Sequence, residues 1–185
     1  DDMGYGDFAC VLLGNGDGTF RAAVQLPSGN KPFCVRSCDL DDNGAADLVA
    51  ANYGGNDISV LLGNGNGTFR AAVSYTVGTS PQALAIGDLN GDGASDLAVA
   101  NHASDDVSVL LGVGNGTFLS ATRFRSDGLP SSVAIGDLNH DGYPDLAVAN
   151  DFGDDVSILL GNGDGTFGTA QHFGVGDLPN SIAVE

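Results

Sequence analysis

Apolar positions along this chain fall into short runs set between polar, glycine-rich stretches. Runs of this length, rich in Val, Ile, Leu and Ala, read as buried strands, and none continues with the period of an amphipathic helix. Residues 130–178 show the order most clearly. Ser-Val-Ala-Ile at 132–135 predicts strand A, after which an Asp-rich loop starts at Asp137. Residues 145–149 predict strand B, a polar connection runs from Asn150 to Asp154, and residues 155–160 predict strand C. Asn-Gly-Asp-Gly at 162–165 supplies residues that tolerate positive φ in a tight hairpin, so strand D is expected to begin near Thr166.

The same order recurs every 49 residues. Leu-Leu-Gly-x-Gly-x-Gly-Thr-Phe ends at Phe20, Phe69, Phe118 and Phe167, and Pro32, Pro81, Pro130 and Pro179 keep the same step. Four short strands in a period of this size are the mark of propeller blades, each burying its faces against its neighbours. The predicted fold is all-β: a β-propeller or partial propeller of four-stranded antiparallel blades in one repeat domain. A partial blade is expected over 1–31, full blades over 32–80, 81–129 and 130–178, and a closing or next strand over 179–185. The chain is eleven residues short of four periods. Three arrangements fit: a piece of a larger propeller, a four-blade ring closed by its ends, or a partial ring completed by a second copy. Four blades is the lower limit for closure, which favours the first and last. An open ring exposes strand edges, so a homo-oligomer or continuation in a longer chain is expected.

Composition narrows the class. Of 24 acidic residues only Glu185 is Glu, and 6 basic residues leave a net charge of −18. Such a charge repels phosphate, which excludes nucleic acid as a partner. The apolar runs are too short to span a membrane. A hydrophobic share of 42% sets the chain apart from a disordered acidic tail. Cys10, Cys34 and Cys38 are an odd set with no disulfide framework. Cys34 and Cys38 on one strand stand roughly 13 Å apart, too far to bridge. Pairing of Cys10 with either stays open. The chain opens abruptly at Asp1, as a mature or trimmed product would.

Three loops carry the candidate chemistry. Asp39, Asp41, Asn43 and Asp47 stand at positions 1, 3, 5 and 9 of the first, Asp88, Asn90, Asp92 and Asp96 in the second, and Asp137, Asn139, Asp141 and Asp145 in the third. Gly fills position 6, where the chain must turn, and the carbonyls of Ala45, Ala94 and Tyr143 at position 7 offer a further oxygen. Ca²⁺ takes six to eight such oxygens, whereas Mg²⁺ resists so full a dehydration. Three structural Ca²⁺ sites are therefore expected. The pattern starts like an EF-hand, but position 12 is Ala50, Val99 or Val148 within a strand, where an EF-hand needs Glu. The hairpin positions Asp17, Asn66, Asn115 and Asp164 lack a second carboxylate and read as turns only.

Val133-Ala-Ile-Gly-Asp137, the Asp-x-Asn-x-Asp-Gly-x-x-Asp loop, Leu-Ala-Val-Ala-Asn and the Thr-Phe pair together resemble the FG-GAP (VCBS-type) repeat of integrin α-subunit propellers and many bacterial secreted proteins. The resemblance covers roughly residues 11–184. It implies a propeller, usually of seven blades, with structural Ca²⁺ in the A–B loops and an extracellular setting. This chain departs in having fewer blades, and in placing Arg36 and Cys38 where strand A of the other blades has Ala and Gly. The first ten residues resemble the Asp-Asp segment near the start of sulfatases. They equally mirror a clipped blade loop, since Gly4-Tyr5-x-Asp7 matches Gly142-Tyr143-x-Asp145. A sulfatase needs a Cys- or Ser-x-Pro-x-Arg nucleophile site, and none follows.

No catalytic set assembles from the repeat, because His102, His140 and His172 occupy unrelated positions. The chain is expected not to be an enzyme. The A–B loops and C–D turns of a propeller share one rim, and the B–C and D–A loops share the other. The second rim varies most between blades and holds Tyr53, Asn56, His102, Asp105, Phe152 and Asp154, which suit a carbohydrate or protein ligand. The expected function is a non-catalytic, calcium-stabilised extracellular interaction or adhesion module, able to self-assemble through its incomplete end blades. The alternative is the propeller portion of a larger secreted carbohydrate-active or sulfatase-like enzyme. Millimolar Ca²⁺ outside the cell saturates even weak sites, which favours a secreted or cell-surface location.

Overall fold

The computed structural model describes residues 6–184; the Asp1-Asp2 pair of the sulfatase-like segment lies outside them. Among the described residues the chain forms fourteen strands and one 3₁₀ turn, His102–Ser104. The first two strands, β1 (Phe8–Val11) and β2 (Val24–Pro27), make a two-stranded sheet. Three antiparallel four-stranded sheets follow. The first holds β3 (Pro32–Cys38), β4 (Asp47–Asn52), β5 (Asp57–Leu61) and β6 (Val73–Thr76). The second holds β7 (Pro81–Gly87), β8 (Asp96–Asn101), β9 (Asp106–Leu110) and β10 (Thr122–Arg125). The third holds β11 (Pro130–Gly136), β12 (Asp145–Asn150), β13 (Asp155–Leu159) and β14 (Gln171–Gly174). In each the strands pair in chain order, and β3, β7 and β11 sit side by side as the innermost strands of successive blades. The architecture is all-β, of propeller blades not closed into a ring.

Burial follows from this stacking. The middle blade is covered on both faces, so every residue of β8 and β9 is buried and both read as near-continuous apolar runs. Val49, Ile58, Val60, Leu84, Leu97 and Val99 join the first and second blades in one core, and Ala98, Val107, Val133, Leu146 and Val148 join the second and third in another. By contrast β3 leaves Phe33, Val35 and Arg36 exposed. Arg36 and Cys38 therefore do not disturb the blade: the β3–β4 ladder keeps the register of the other two.

Two strand boundaries differ from the sequence expectation. Strand A starts at Pro130 rather than at 132, with a register shift between Pro130 and Ser132, and Pro32 and Pro81 behave alike. Proline at the strand's first residue lacks the N–H a regular ladder would need. Strand D starts at Gln171, well after Thr166. Phe167 makes a single bridge to Gly161, and its ring then leaves the ladder to meet Phe124 of the preceding blade edge-on at 5.3 Å. Phe118 does the same with Tyr75 at 5.6 Å.

The strand expected over 179–185 has no ladder within residues 179–184. The segment nonetheless lies along β11: Ser131 Oγ donates to Pro179 O at 2.8 Å, and Ile182 N donates to Ser132 Oγ at 3.3 Å. Val184 faces Gly136 as Ile135 faces Gly87, which is the place of a next strand A without its strand B. The two ends share no ladder among the described residues, so a four-blade closure is not formed.

One glycine per blade is fixed by close approach. A Cβ on Gly63, Gly112 or Gly161 would run into the backbone carbonyl of Ala46, Ser95 or Pro144. Gly93, by contrast, has φ +85° with open space around it. We expect Gly112→Ala to cost about 3 kcal/mol through backbone displacement and Gly93→Ala about 1 kcal/mol through conformation alone, read from urea unfolding midpoints.

Candidate metal centre

Each A–B loop folds around its own carboxylates. Asp39 at position 1 accepts from Asn43 N at 3.1 Å and Gly44 N at 2.7 Å. Asp137 likewise accepts from Asp141 N and Gly142 N. Asp88 accepts from Gly91 N at 2.7 Å and Gly93 N at 2.9 Å. The position-5 side chains of Asn43, Asp92 and Asp141 accept from the N–H of Ala45, Ala94 and Tyr143 at 2.7–2.9 Å. Two left-handed residues make such a turn: Asp42, Gly91 or His140 at position 4, and Gly44, Gly93 or Gly142 at position 6. His140 is exposed there. Ala45 is buried, Ala94 half-buried and Tyr143 exposed.

Position 9 is different in kind. Asp47, Asp96 and Asp145 are 0% exposed. Asp47 accepts from Leu40 N and Gly63 N, each at 2.7 Å. Asp96 does so from Leu89 N and Gly112 N, and Asp145 from Leu138 N and Gly161 N. One carboxylate thus ties the A–B loop to the C–D hairpin sixteen residues further on.

The first loop concentrates charge most. Oxygens of Asp39, Asp41 and Asp47 lie within 4.8 Å of one another. Asp41 Oδ1 is buried and has no hydrogen-bond partner, while Arg70 Nη1 stands 3.8 Å from Oδ2. A buried anionic oxygen without a partner is costly, and a hard cation satisfies it. The second and third loops carry Asn at position 3. There Asn90 Nδ2 donates to Asp92 Oδ2 at 2.9 Å and Asn139 Nδ2 to Asp141 Oδ2 at 2.8 Å, so the amide neutralises part of the loop's demand.

Electrostatics in the second loop pull two ways. Burial pushes Asp88 up, but N–H groups from Gly93, Gly91, Asn90 and Asp92 together hold it below its usual value. Burial also pushes Asp96 up, opposed by Gly112 and Leu89 N–H and reinforced by the charges of Asp92 and Asp88, and here the net shift is upward. A raised carboxylate favours the fold below its unfolded pKa and loses that contribution as pH rises through its folded value. At neutral pH a cation held in the loop would offset this loss. The hairpin residues Asp17 and Asp164 are held low by the Thr19 and Thr166 hydroxyls and N–H groups, as turn residues are.

On the opposite rim the six candidate residues divide. Asn56, Asp105 and Asp154 each adopt a left-handed conformation. Their oxygens accept from Ser80 N, Leu129 N and Leu178 N at 2.9 Å, bracing the D–A loop. Their side chains carry a structural task that the sequence reading gave to ligand contact. Asp7 is in phase with them and faces Lys31 N at 3.4 Å. Tyr53 and His102 come together with ring centroids 6.5 Å apart, and Phe33, absent from the expectation, adds a third ring 5.9 Å from Tyr53. Phe152 stands apart and exposed. Beneath the rim lies a buried network also unforeseen: Asn52, Asn101 and Asn150 donate to Asp57, Asp106 and Asp155, and to Ser59, Ser108 and Ser157. Its signal was the shared 49-residue phase of all three residue types. Cys10, Cys34 and Cys38 are free thiols.

The FG-GAP-like repeat model matches residues 39–99 and 88–148, and the FG-GAP repeat model matches residues 129–170. No curated protein matches. Among solved structures, an Agrocybe aegerita lectin described for specific recognition of non-reducing terminal N-acetylglucosamine is 25% identical with a TM-score of 0.58, over 90% of this chain and 46% of that one. A functionally unknown protein of Desulfotomaculum acetoxidans DSM 771 is 17% identical with a TM-score of 0.65, over 93% of this chain and 54% of that one. BBS1N in complex with ARL6DN is 17% identical with a TM-score of 0.55, over 82% and 46%. The chain spans about half the length of these structures.

Asp96→Ala leaves two buried N–H groups without an acceptor. It is expected to cost about 3 kcal/mol in urea unfolding even in chelator. Asp92→Ala, which removes two exposed acceptor oxygens whose donors, Ala94 N and Asn90 Nδ2, can turn to water, is expected to cost under about 1 kcal/mol in the same assay.

Proposed function

The chain belongs to the FG-GAP repeat family, and from that premise we propose that it is a non-catalytic, calcium-stabilised extracellular interaction module that binds a carbohydrate through the rim of its B–C and D–A loops. Domains of this family are generally non-catalytic and typically extracellular, and repeat domains of this kind mediate interactions. Residues 32–80, 81–129 and 130–178 act as its blades.

Asp39, Asp41, Asn43 and Asp47, with the Ala45 carbonyl, would hold one Ca²⁺. Asp88, Asn90, Asp92, Ala94 and Asp96, and Asp137, Asn139, Asp141, Tyr143 and Asp145, would hold two more. The unpartnered Asp41 oxygen supports this fit. The ion supplies charge neutralisation and strand cross-linking, with no chemistry of its own.

The observation that carries ligand binding is the aromatic run Phe33–Tyr53–His102. Phe33 is 61% exposed, and a cleft of about 280 Å³ lies between Lys31, Pro32, Phe33 and Tyr53. An exposed ring flanked by half-buried ones and by polar groups suits the apolar face of a sugar. The likeness to a lectin supports a carbohydrate over a protein ligand.

Two outcomes are expected. At tenfold over Kd, three Ca²⁺ sites add ~4 kcal/mol, so chelation lowers the melting temperature by roughly 10 °C in a thermal scan. On a glycan array that includes N-acetylglucosamine-terminated chains, saturable binding is expected, weakened at least tenfold by Tyr53→Ala and Phe33→Ala with the melting temperature held within about 2 °C. Absence of glycan binding, or equal binding by both variants, contradicts the rim reading.

A further inference from the structure

A second cluster of ligating side chains lies on the rim opposite the Asp loops, where the loop from the second blade enters the third. Oxygens of Asp127 and Asp155 and a ring nitrogen of His172 lie within 4.8 Å of one another. His172 Nδ1 is 3.6 Å from Asp155 Oδ2, 3.8 Å from Asp127 Oδ2 and 3.0 Å from Ser157 Oγ.

The other blades show what this place ordinarily contains. Residues in phase with Asp155 are Asp57 and Asp106. Asp57 accepts from the Ser74 hydroxyl at 2.7 Å, and Asp106 is neutralised by the Arg123 guanidinium, whose Nε stands 2.8 Å away. Ser74, Arg123 and His172 occupy one repeat position, so the third blade has an imidazole where the others have a hydroxyl and a guanidinium. The loop entering it also adds a carboxylate: the residues in phase with Asp127 are Gly29, Gly78 and Gly176.

The bond beneath it differs as well. Gly78 N donates to the buried Asn101 Oδ1 at 3.1 Å, and a Cβ on Gly78 would come 2.5 Å from the Asn101 amide carbon. Asp127 carries such a Cβ, and Asn150 Oδ1, in phase with Asn101 Oδ1 and on a residue 0% exposed, is left without a partner. Its Nδ2 is committed to Asp155 Oδ1 at 2.6 Å and Ser157 Oγ at 2.7 Å, which fixes the amide's orientation. Asn52 Oδ1 is also unpaired, but it faces Gly29, where no carboxylate or imidazole stands.

Ser157 Oγ lies on the same nitrogen and, with two lone pairs, takes the Asn150 amide proton whichever way its own proton turns. Two carboxylates thus face one imidazole nitrogen in a blade whose Asn150 Oδ1 is unpaired. We propose that Asp127, Asp155 and His172 bind a divalent transition-metal ion of the zinc type, with Asn150 Oδ1 at its inner side. One nitrogen with hard oxygens suits such an ion rather than Ca²⁺. Ligand atoms of a tetrahedral zinc stand ~3.3 Å apart, and the imidazole nitrogen stands 3.6 and 3.8 Å from the two carboxylate oxygens.

The test uses the full chain, stripped with chelator and restored to millimolar Ca²⁺ so that the Asp loops are filled. Titration with Co²⁺, followed by visible absorption, is expected to give one saturable equivalent with N/O-type bands. Asp127→Gly and His172→Ser install residues found in the other blades, and each is expected to weaken binding at least tenfold with an unchanged melt. Independently of any variant, Zn²⁺ is expected to shift the imidazole resonances of His172 and leave those of His102 and His140 in place. The proposal is overturned by the absence of saturable binding, by equal affinity in both variants, by intense thiolate-to-cobalt bands from the free cysteines, or by an unmoved His172.

Discussion

A buried carboxylate accepting two backbone N–H groups holds each blade together. Asp47, Asp96 and Asp145 close the A–B loop from one side and the C–D hairpin from the other. Removing such a charge from water is tolerable only because both oxygens are met by donors at hydrogen-bond distance. The demand explains the neighbouring sequence. The N–H must come from Gly63, Gly112 or Gly161, since any side chain there strikes the backbone beside the Asp. Leu40 and Leu89, whose N–H groups supply the other bond, are buried and anchor the loop to the core. With the loop pinned at both ends, the remaining carboxylates have nowhere to go but toward one another, and that crowding makes a cation useful.

On the opposite rim neighbouring side chains meet the same problem. Asn52, Asn101 and Asn150 donate an amide N–H to the acidic residue that opens strand C, and strand D adds a hydroxyl, a guanidinium or an imidazole. Asn56, Asp105 and Asp154 then fasten the chain's passage to the next blade. The backbone is thus over-determined at both ends of every strand pair, which leaves rim positions such as the exposed Phe33 and the half-buried Tyr53 and His102 free to vary from blade to blade.

Much of this was legible in the residues. The 49-residue step, the turn glycines and the apolar runs predict blades and the strand order, because period and burial are local properties of the chain. The inward turn of Asp39, Asp88 and Asp137 also follows from spacing alone. The role of Asp47 is harder to see: its partners lie seven residues before and sixteen after, and only the folded hairpin brings them to one carboxylate. Thr166 and Phe167 look like strand, yet the Phe ring is drawn to Phe124 of the neighbouring blade, a contact no single-blade pattern contains. Asn56, Asp105 and Asp154 read as variable loop residues because Asn and Asp differ as letters, although both present the same acceptor oxygen at the same phase. Phe33 was missed since its equivalents, Gln82 and Ser131, are polar; an aromatic that breaks phase on an exposed strand was the available signal.

Amide hydrogen exchange tests the buried brace most directly. In metal-free and calcium-loaded protein alike, the N–H groups of Leu40, Leu89, Leu138, Gly63, Gly112 and Gly161 should exchange as slowly as those of β8 and β9. Exchange of these six at the rate of exposed loop amides, or protection that vanishes with the metal, would contradict the account.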